Sequence, residues 1–318
     1  MIIKTRTKPL PLTKLESAIP RLSPQFPALS AMKEDLKKRW KGYSGELQVD
    51  YHLGNLATSC TILQDVYLRV NGKNVQIDTT ANAGRSIHLI DAKNYSGTIT
   101  FDTDLKQLTR SDGKIEAGFE YPLTQLENQK FLLSNWLQQH NLSNIPIYYY
   151  VAIADPSTII KVEGDRNKIA KFVAHGAAIP KMIMDKEREL ARAGQPKLAQ
   201  YQIGKMILQE CGTFDKDIMK QYGVTRKDIL PGVICPDCGL RGIERKHSGW
   251  WCSKCKQKYY NAHLKALADY FLLVNDFITN TECMRFLQLT SRNTATRILK
   301  ASGLVYIEKH RHWVWRRL

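Results

Sequence analysis

The 318-residue chain has no apolar run long enough to cross a bilayer as a helix, for which about 20 residues are needed. Its first residues, Met1-Ile2-Ile3-Lys4, lack the apolar core of a secretory signal. No amphipathic basic helix or lipidation signal points to a lipid surface. The expectation is a cytoplasmic protein with no membrane partner. There is no internal repeat and no low-complexity tract. There is no Ser/His/Asp set, no phosphate-binding glycine-rich loop and no dinucleotide fingerprint, which sets aside the chemistries those patterns serve. His88, His140 and His175 stand isolated and read as core or surface histidines. Acidic residues are scarce, 30 against 47 Lys and Arg, giving a net charge of +17 and a pI near 9.5. A charge of that size repels itself in a compact state unless a polyanion offsets it, and the commonest polyanion is nucleic acid.

What is present is ordinary in bulk and specific in detail. An apolar share of 43% supports sizeable cores, and the length suggests two or three compact units. Residues 1–30 are proline-rich with little periodicity and read as an extended arm. The stretch from Pro27 to Leu56 has helical spacing, with Gly42 and Gly45 breaking it into two helices. Strands are expected at Cys60–Leu68, Val75–Ala81, Ser86–Lys93 and Thr98–Phe101, the first two joined by an Asn71-Gly72 hairpin turn. Leu123–Gln139 reads as a helix and Ile145–Ile153 as a strand buried on both faces. This order indicates an α/β layer architecture.

The residues that carry chemistry here are Asp78 and, thirteen positions later, Asp91-Ala92-Lys93. On adjacent strands the two aspartates can meet at one end of the sheet. Period-2 geometry puts Asp91 and Lys93 on one face. Two carboxylates so placed can hold a hard divalent cation through oxygen. A lysine beside that ion can orient or help deprotonate a water and offset charge on a phosphoryl group. Burial of Lys93 in an apolar strand would depress its pKa.

Four ordered motifs, Gly42-Tyr43-Ser44-Gly45-Glu46, Gln76-Ile77-Asp78, Ile90-Asp91-Ala92-Lys93-Asn94-Tyr95-Ser96-Gly97 and Tyr121-Pro122-Leu123-Thr124-Gln125, resemble the nuclease-related domain (NERD) family. That family is grouped with the restriction-endonuclease-like PD-(D/E)xK fold, and the resemblance runs from about Lys41 to Ile183. It implies an α/β core with a mixed sheet that hydrolyses DNA phosphodiester bonds with Mg²⁺ or Mn²⁺. It implies that Asp78 and Asp91 are metal ligands and Lys93 the catalytic lysine, that Glu46 completes the acidic cluster, and that Gln125 lines the site. Asp91 stands where the family usually has Glu, which draws the carboxylate inward by one methylene. Tyr121 stands where Asn often precedes the Pro. Asn94, Tyr95 and Gly97 read as shaping the turn after the strand. The alternative is a non-catalytic DNA-binding or regulatory protein on a nuclease-like fold. RNA is a second candidate ligand. Cutting both strands of a duplex with one centre per chain sets up the expectation of a homodimer.

Four of the seven cysteines form two Cys-x₂-Cys knuckles, Cys235/Cys238 and Cys252/Cys255, thirteen residues apart. Such knuckles deliver four thiolates to a structural tetrahedral Zn²⁺. Cys60, Cys211 and Cys283 read as buried thiols of a reducing compartment. Arg241, Arg245, Lys246, His247, Lys254, Lys256 and Lys258 surround the knuckles, interleaved with Trp250, Trp251, Tyr259 and Tyr260. That mixture suits phosphate contact and base stacking.

The last stretch reads as helix, tight turn, helix and two-stranded ribbon, which resembles a winged helix. Thr279 or Asn280 caps the first helix, Asn293–Ala301 is the second, and Gly303 sits just beyond it. The second helix would present Ser291, Arg292, Asn293, Thr296, Arg297 and Lys300 to a DNA groove. Lys309, His310, Arg311, His312, Arg316 and Arg317 would reach phosphates from the wing. The expected organisation is a basic arm at 1–40, a nuclease-like domain at 41–185, a helical linker at 186–232, a zinc ribbon at 233–260 and a winged helix at 261–318.

Overall fold

The computed structural model describes residues 1–315; Arg316 and Arg317 of the expected wing lie outside the described residues. Two compact units emerge, each assembled from two stretches of chain. The first takes Met1–Pro9 with Lys38–Phe214, and the second takes Leu10–Lys37 with the segment from Asp215 onward. The expected arm at 1–40 is therefore not extended. It begins with strand β1 (Ile2–Lys4), continues into helix α1 (Leu10–Ala18) and enters helix α2 (Leu29–Leu53). Its apolar residues Leu12, Leu15 and Met32 are fully buried, and burial overrides the weak local periodicity that suggested an arm.

In the first unit, β1 is joined by β2 (Thr61–Val70), β3 (Lys73–Asn82), β4 (Ile87–Lys93), β5 (Thr98–Asp102), β6 (Gln107–Ser111), β7 (Glu116–Phe119), β8 (Ile147–Ile153), β9 (Ile159–Glu163) and β10 (Val173–His175). A six-stranded mixed sheet runs β1-β2-β3-β4-β8-β10, and a four-stranded sheet runs β7-β6-β5-β9. The β2–β3 hairpin turns at Asn71 and Gly72, both with positive φ, as a two-residue turn of this hand requires. β4 lies between β3, antiparallel to it, and β8, parallel to it, so Ile87, Leu89 and Ile90 are all buried. Helix α3 (Pro122–Gln139) starts on a proline, whose missing N–H costs nothing in a first turn. It lays Leu126, Leu133, Trp136 and Leu137 into the core of this sheet. Truncating a buried Trp such as Trp136 costs about 3–5 kcal/mol.

Helix α2 is continuous through Gly42 and Gly45, so the two helices expected there are one. At Gly45 a Cβ would stand 2.5 Å from Asn94 Cβ. The glycine serves close packing of helix on strand end, not a helix break. Beyond β10, α4 (Arg166–Ala170) has already passed, and α5 (Ile179–Arg192) and α6 (Gln200–Glu210) follow. The expected linker at 186–232 is thus partly core: Ile203 and Ile207 of α6 are buried with the sheet residues.

The second unit holds α1, α7 (Ile218–Gln221), a three-stranded sheet of β11 (Glu244–Lys246), β12 (Gly249–Cys252) and β13 (Gln257–Tyr259), then α8 (Ala262–Leu273), β14 (Phe277–Ile278), α9 (Asn280–Leu287), α10 (Arg292–Ala301), β15 (Leu304–Ile307) and β16 (His312–Trp315). Thr279 caps α9 in a full capping box with Glu282. Gly303 takes a left-handed φ just past α10. A third strand, β14, joins the expected pair on β16. Cys235, Trp250, Cys252, Tyr270, Phe286 and Leu299 belong to one apolar core with Leu15 and Met32. The knuckle segment and the C-terminal helices are therefore one packing unit: a stretch of some 25 residues is too small to build a core alone.

Candidate metal centres and nucleic-acid interface

Asp78 stands one step past the Thr79–Ile90 pair, across from Asp91. Its Oδ2 accepts from the Ala92 amide at 2.9 Å, so the carboxylate is fixed to the neighbouring strand by backbone. Asp91 is buried on β4. Lys93, two residues on and on the same face, places its Nζ 3.1 Å from Asp91 Oδ1 and 2.9 Å from Oδ2. Only the first is a hydrogen bond; Asp91 Oδ2 accepts none from the described residues. Lys93 also donates to Gln125 Oε1 of α3 at 3.1 Å. Burial works against the Lys93 ammonium, but Asp91 and Asp78 outweigh it and raise its pKa. The depressed pKa expected from burial is thus reversed by two acids that desolvation alone does not count.

Glu46 and Asp50 lie one turn apart on α2 and share a guanidinium. Arg6 Nη1 donates to Glu46 Oε2 at 2.8 Å, and Arg6 Nε donates to Asp50 Oδ2 at 2.7 Å. Arg6 Nη2 reaches the Asp78 carbonyl oxygen at 2.7 Å and Thr79 Oγ1 at 3.2 Å. The Arg6 side chain is 3% exposed. Burial disfavours its charge, but Asp50, Glu46 and Asp78 hold the pKa above its ordinary value. The acids feel the reverse. Burial, then Asp78, push Glu46 up to about 7 against the pull of Arg6. Burial, aided by Asp78 and opposed by Lys93, pushes Asp91 up to about 7.

The structure therefore brings together Asp78, Asp91, Lys93 and Gln125. It sets Glu46 to one side, on Arg6. Among the described residues, only the four cysteines bring three or more ligand atoms within 4.8 Å of one another. Arg6 and Asp50 were missed from sequence. Asp50 had a readable signal, its i,i+4 spacing from Glu46 on a helix; Arg6, 40 residues from Glu46, had none. Asn94 and Gly97 are structural, as read. Asn94 Nδ2 donates to the Lys41 carbonyl at 2.7 Å, and a Cβ on Gly97, at φ +86°, would meet Ser111 O at 2.4 Å. His88 is a core histidine held by Ser86 Oγ at 2.9 Å and stacked against Tyr148 and Tyr150.

The acidic pair fits a divalent cation. Asp91 Oδ2 is buried with only the Lys93 ammonium beside it, at 2.9 Å, among the described residues, and the site holds carboxylates that cannot all ionise comfortably. Added positive charge relieves both.

The four knuckle thiols are all unpaired by disulfide. Cys235 and Cys255 Sγ are 3.9 Å apart, and Cys238 and Cys252 Sγ 3.6 Å. Tetrahedral coordination with Zn–S of 2.3 Å would space sulfurs roughly 3.8 Å apart, so the cluster is shaped for a metal ion. Gly239 takes φ +71° after the first knuckle, and the Cys255 amide points at Cys252 Sγ at 3.4 Å. Cys60 and Cys283 are buried as expected; Cys211 is only half-buried.

On α10, Ala295, Ile298 and Leu299 face the core, leaving Arg292, Asn293, Arg297 and Lys300 exposed. Thr296 departs from the expected reading surface: it is half-buried, donates to the Arg292 carbonyl at 3.1 Å and accepts from Asn280 Nδ2 at 2.5 Å. Lys309 and Arg311 are exposed in the turn between β15 and β16. No described helix is long and apolar enough to cross a membrane.

Comparison with known proteins yields no match among curated proteins and none among solved structures. The family described as Nuclease-related domain matches residues 41–154, the stretch that carries Glu46, Asp78, Asp91, Lys93 and Gln125.

Proposed function

We propose that the chain hydrolyses DNA phosphodiester bonds at the Asp78–Asp91–Lys93 centre, and that the second unit binds the substrate. The observation that carries this reading is Lys93 held between Asp91 and Gln125, with Asp78 fixed across from Asp91. Asp78 and Asp91 would hold one Mg²⁺ or Mn²⁺. When bound, that ion supplies electrostatic stabilisation of the charge that builds on the phosphate. Gln125 and Asp91 keep the Lys93 ammonium extended into the centre, where it orients the attacking water and neutralises a phosphoryl oxygen. Water adds to phosphorus, one P–O ester bond breaks, and the leaving oxygen takes a proton. Arg6 draws Glu46 and Asp50 onto itself and keeps α2 against the strand ends. Zn²⁺ at the four cysteines is structural, because four thiolates leave no open position. α9, α10 and the β15–β16 hairpin act as a winged helix on DNA, with Arg292, Asn293, Arg297 and Lys300 on the helix and Lys309 and Arg311 on the wing. Free thiols suit a reducing, cytoplasmic setting.

One feature favours the rival, a binder that does not cut: Arg6 and Lys93 already supply two cations to the acids. The test is incubation of the protein with supercoiled plasmid, linear duplex and single-stranded DNA, in Mg²⁺, Mn²⁺ and EDTA. The proposal expects metal-dependent product from at least one form. Tight binding with no cutting of any form would leave the rival.

A further inference from the structure

The second unit contains a cleft of about 900 Å³ between the β11 strand of the knuckle sheet and one face of α10. Its lining includes Arg245, Lys246, His247, Ser291, Thr294 and Arg297. The only acid among the lining residues, Glu244, is paired with Lys246 at 3.3 Å. Arg245 is set from behind. Its strand pairs it with Trp250, and its guanidinium lies 5.4 Å from the centroid of that fully buried indole. Arg245 Nε and Nη1 are shielded from water and have no acceptor among the described residues; the residue as a whole is half-buried and lines the cleft. Donors shielded without an acceptor are unfavourable, and this guanidinium is already ordered on an aromatic face. Arg297 stands close enough to repel it. Burial, then Arg297, lower the Arg245 pKa. Among the described residues, Arg297 itself has only a long 3.4 Å hydrogen bond to Thr294 Oγ1. Ser291 caps α10, so the positive end of a ten-residue helix opens near the same cleft.

Two forked cations lining one cleft beside a helix N-terminus are complementary to a tetrahedral anion with several oxygens. Tyr260, 61% exposed, lines the same cleft and offers a face for a base. We infer that the cleft clamps one phosphodiester of a DNA strand between Arg245 and Arg297, so that the knuckle sheet and α10 grip the same backbone. This rests on the reading of DNA as the ligand. It adds a contact that neither a ribbon nor a winged helix would make by itself.

The test uses the full chain and fluorescence anisotropy, with labelled 20-mer single strands and duplexes, across a range of NaCl. The variants are Arg245→Gln, Arg297→Gln, the double variant, Arg245→Lys, and Lys227→Gln as an exposed control outside the cleft. Metal content and the thermal transition establish that each is folded. Each glutamine variant should weaken binding about tenfold. It should also lower the log–log salt slope by about 0.9 on duplex or 0.7 on single strand, the share of one phosphate. The double variant should lose less than the product of the single losses, because both residues serve one group. Arg245→Lys should fall between, and Lys227→Gln should match wild type. Inorganic phosphate, followed by tryptophan fluorescence, should bind only at millimolar levels and should compete with DNA. The inference is overturned if the folded glutamine variants keep wild-type affinity and slope, if their losses multiply, or if phosphate alone binds at micromolar levels. It is also overturned if wild type does not bind DNA. Those outcomes are separate from the nuclease reading, which stands or falls on product formation at the acidic centre.

Discussion

Each unit buries one arginine from the first 21 residues, and the two are used differently. Arg21, fully buried, meets a single carboxylate, Asp269, at 2.9 Å. Its remaining contacts are the Gly232 and Leu230 carbonyls and the face of Phe286, and Lys265 also reaches Asp269. Positive charge there at least matches negative. Arg6 meets Glu46 and Asp50 while Asp78 adds its field and Asp91 lies further along the same sheet end. Even with Lys93 counted, the acids outnumber the cations. A fold gains nothing from surplus buried carboxylates. The balanced network is what scaffolding looks like; the surplus is the charge that the proposed cation would offset.

The largest expected effect lies in the unit whose buried arginine is matched in charge. Cys235→Ser should release the metal and unfold the whole second unit, not only its knuckles, because Cys235 and Cys252 are part of its common core. Thiolate coordination contributes on the order of 10 kcal/mol. Metal analysis and limited proteolysis should show less than one zinc per chain and cleavage throughout 215–315. Loss of protection at the knuckles alone would separate what the packing joins.

Next come the arginines themselves. Arg21→Met leaves Asp269 with Lys265 only, and should cost about 3–5 kcal/mol. Arg6→Met should cost less, about 1–3 kcal/mol, because Glu46 can take up a proton. Mn²⁺ should restore part of the Arg6→Met loss and none of the Arg21→Met loss. Denaturant unfolding with and without Mn²⁺ measures both; equal response to the metal would erase the distinction between the two networks.

A smaller effect is the pH dependence. For a carboxylate whose folded pKa is raised, the folded state holds more protons than the unfolded one. Stability is then full below the unfolded pKa, near 4, and is lost as pH rises through the folded value. Asp91, pushed up to about 7 by burial, should make protein without added Mg²⁺ or Mn²⁺ lose stability from pH 4 to 7. Asp91→Asn should flatten that loss. Thermal midpoints at pH 5 and pH 8 with no Mg²⁺ or Mn²⁺ added, the thiolate site left loaded, should differ less in the variant than in wild type; an unchanged difference would mean Asp91 is not the group that titrates.

The legible parts of the molecule are those with a local period or fixed spacing. The β2–β3 hairpin, β4, α3, the Asp78/Asp91/Lys93 pattern and the cysteine knuckles are all written within 20 or so residues. What escaped was pairing at distance. Arg21 meets Asp269 across 248 positions and Arg6 meets Asp50 across 44. No periodicity encodes such pairs, so the N-terminal stretch read as an arm while it was supplying a buried cation to each unit. The Gly42–Gly45 reading failed because a glycine needed for close approach to Asn94 looks, in one dimension, like a glycine that ends a helix. β6 and β7 escaped because short strands, one with a single buried residue and one fully exposed, carry little apolar alternation.

Whether the acidic centre cuts DNA is decided by Lys93→Ala measured for cleavage and for gel-shift affinity on one preparation, beside wild type, with Mg²⁺ or Mn²⁺. Lys93 contributes one group to charge stabilisation, so the variant should cut about 10²–10³-fold more slowly. DNA affinity should stay near wild type, because the exposed cations of the second unit are untouched. Cleavage by folded Lys93→Ala at the wild-type rate would contradict the account.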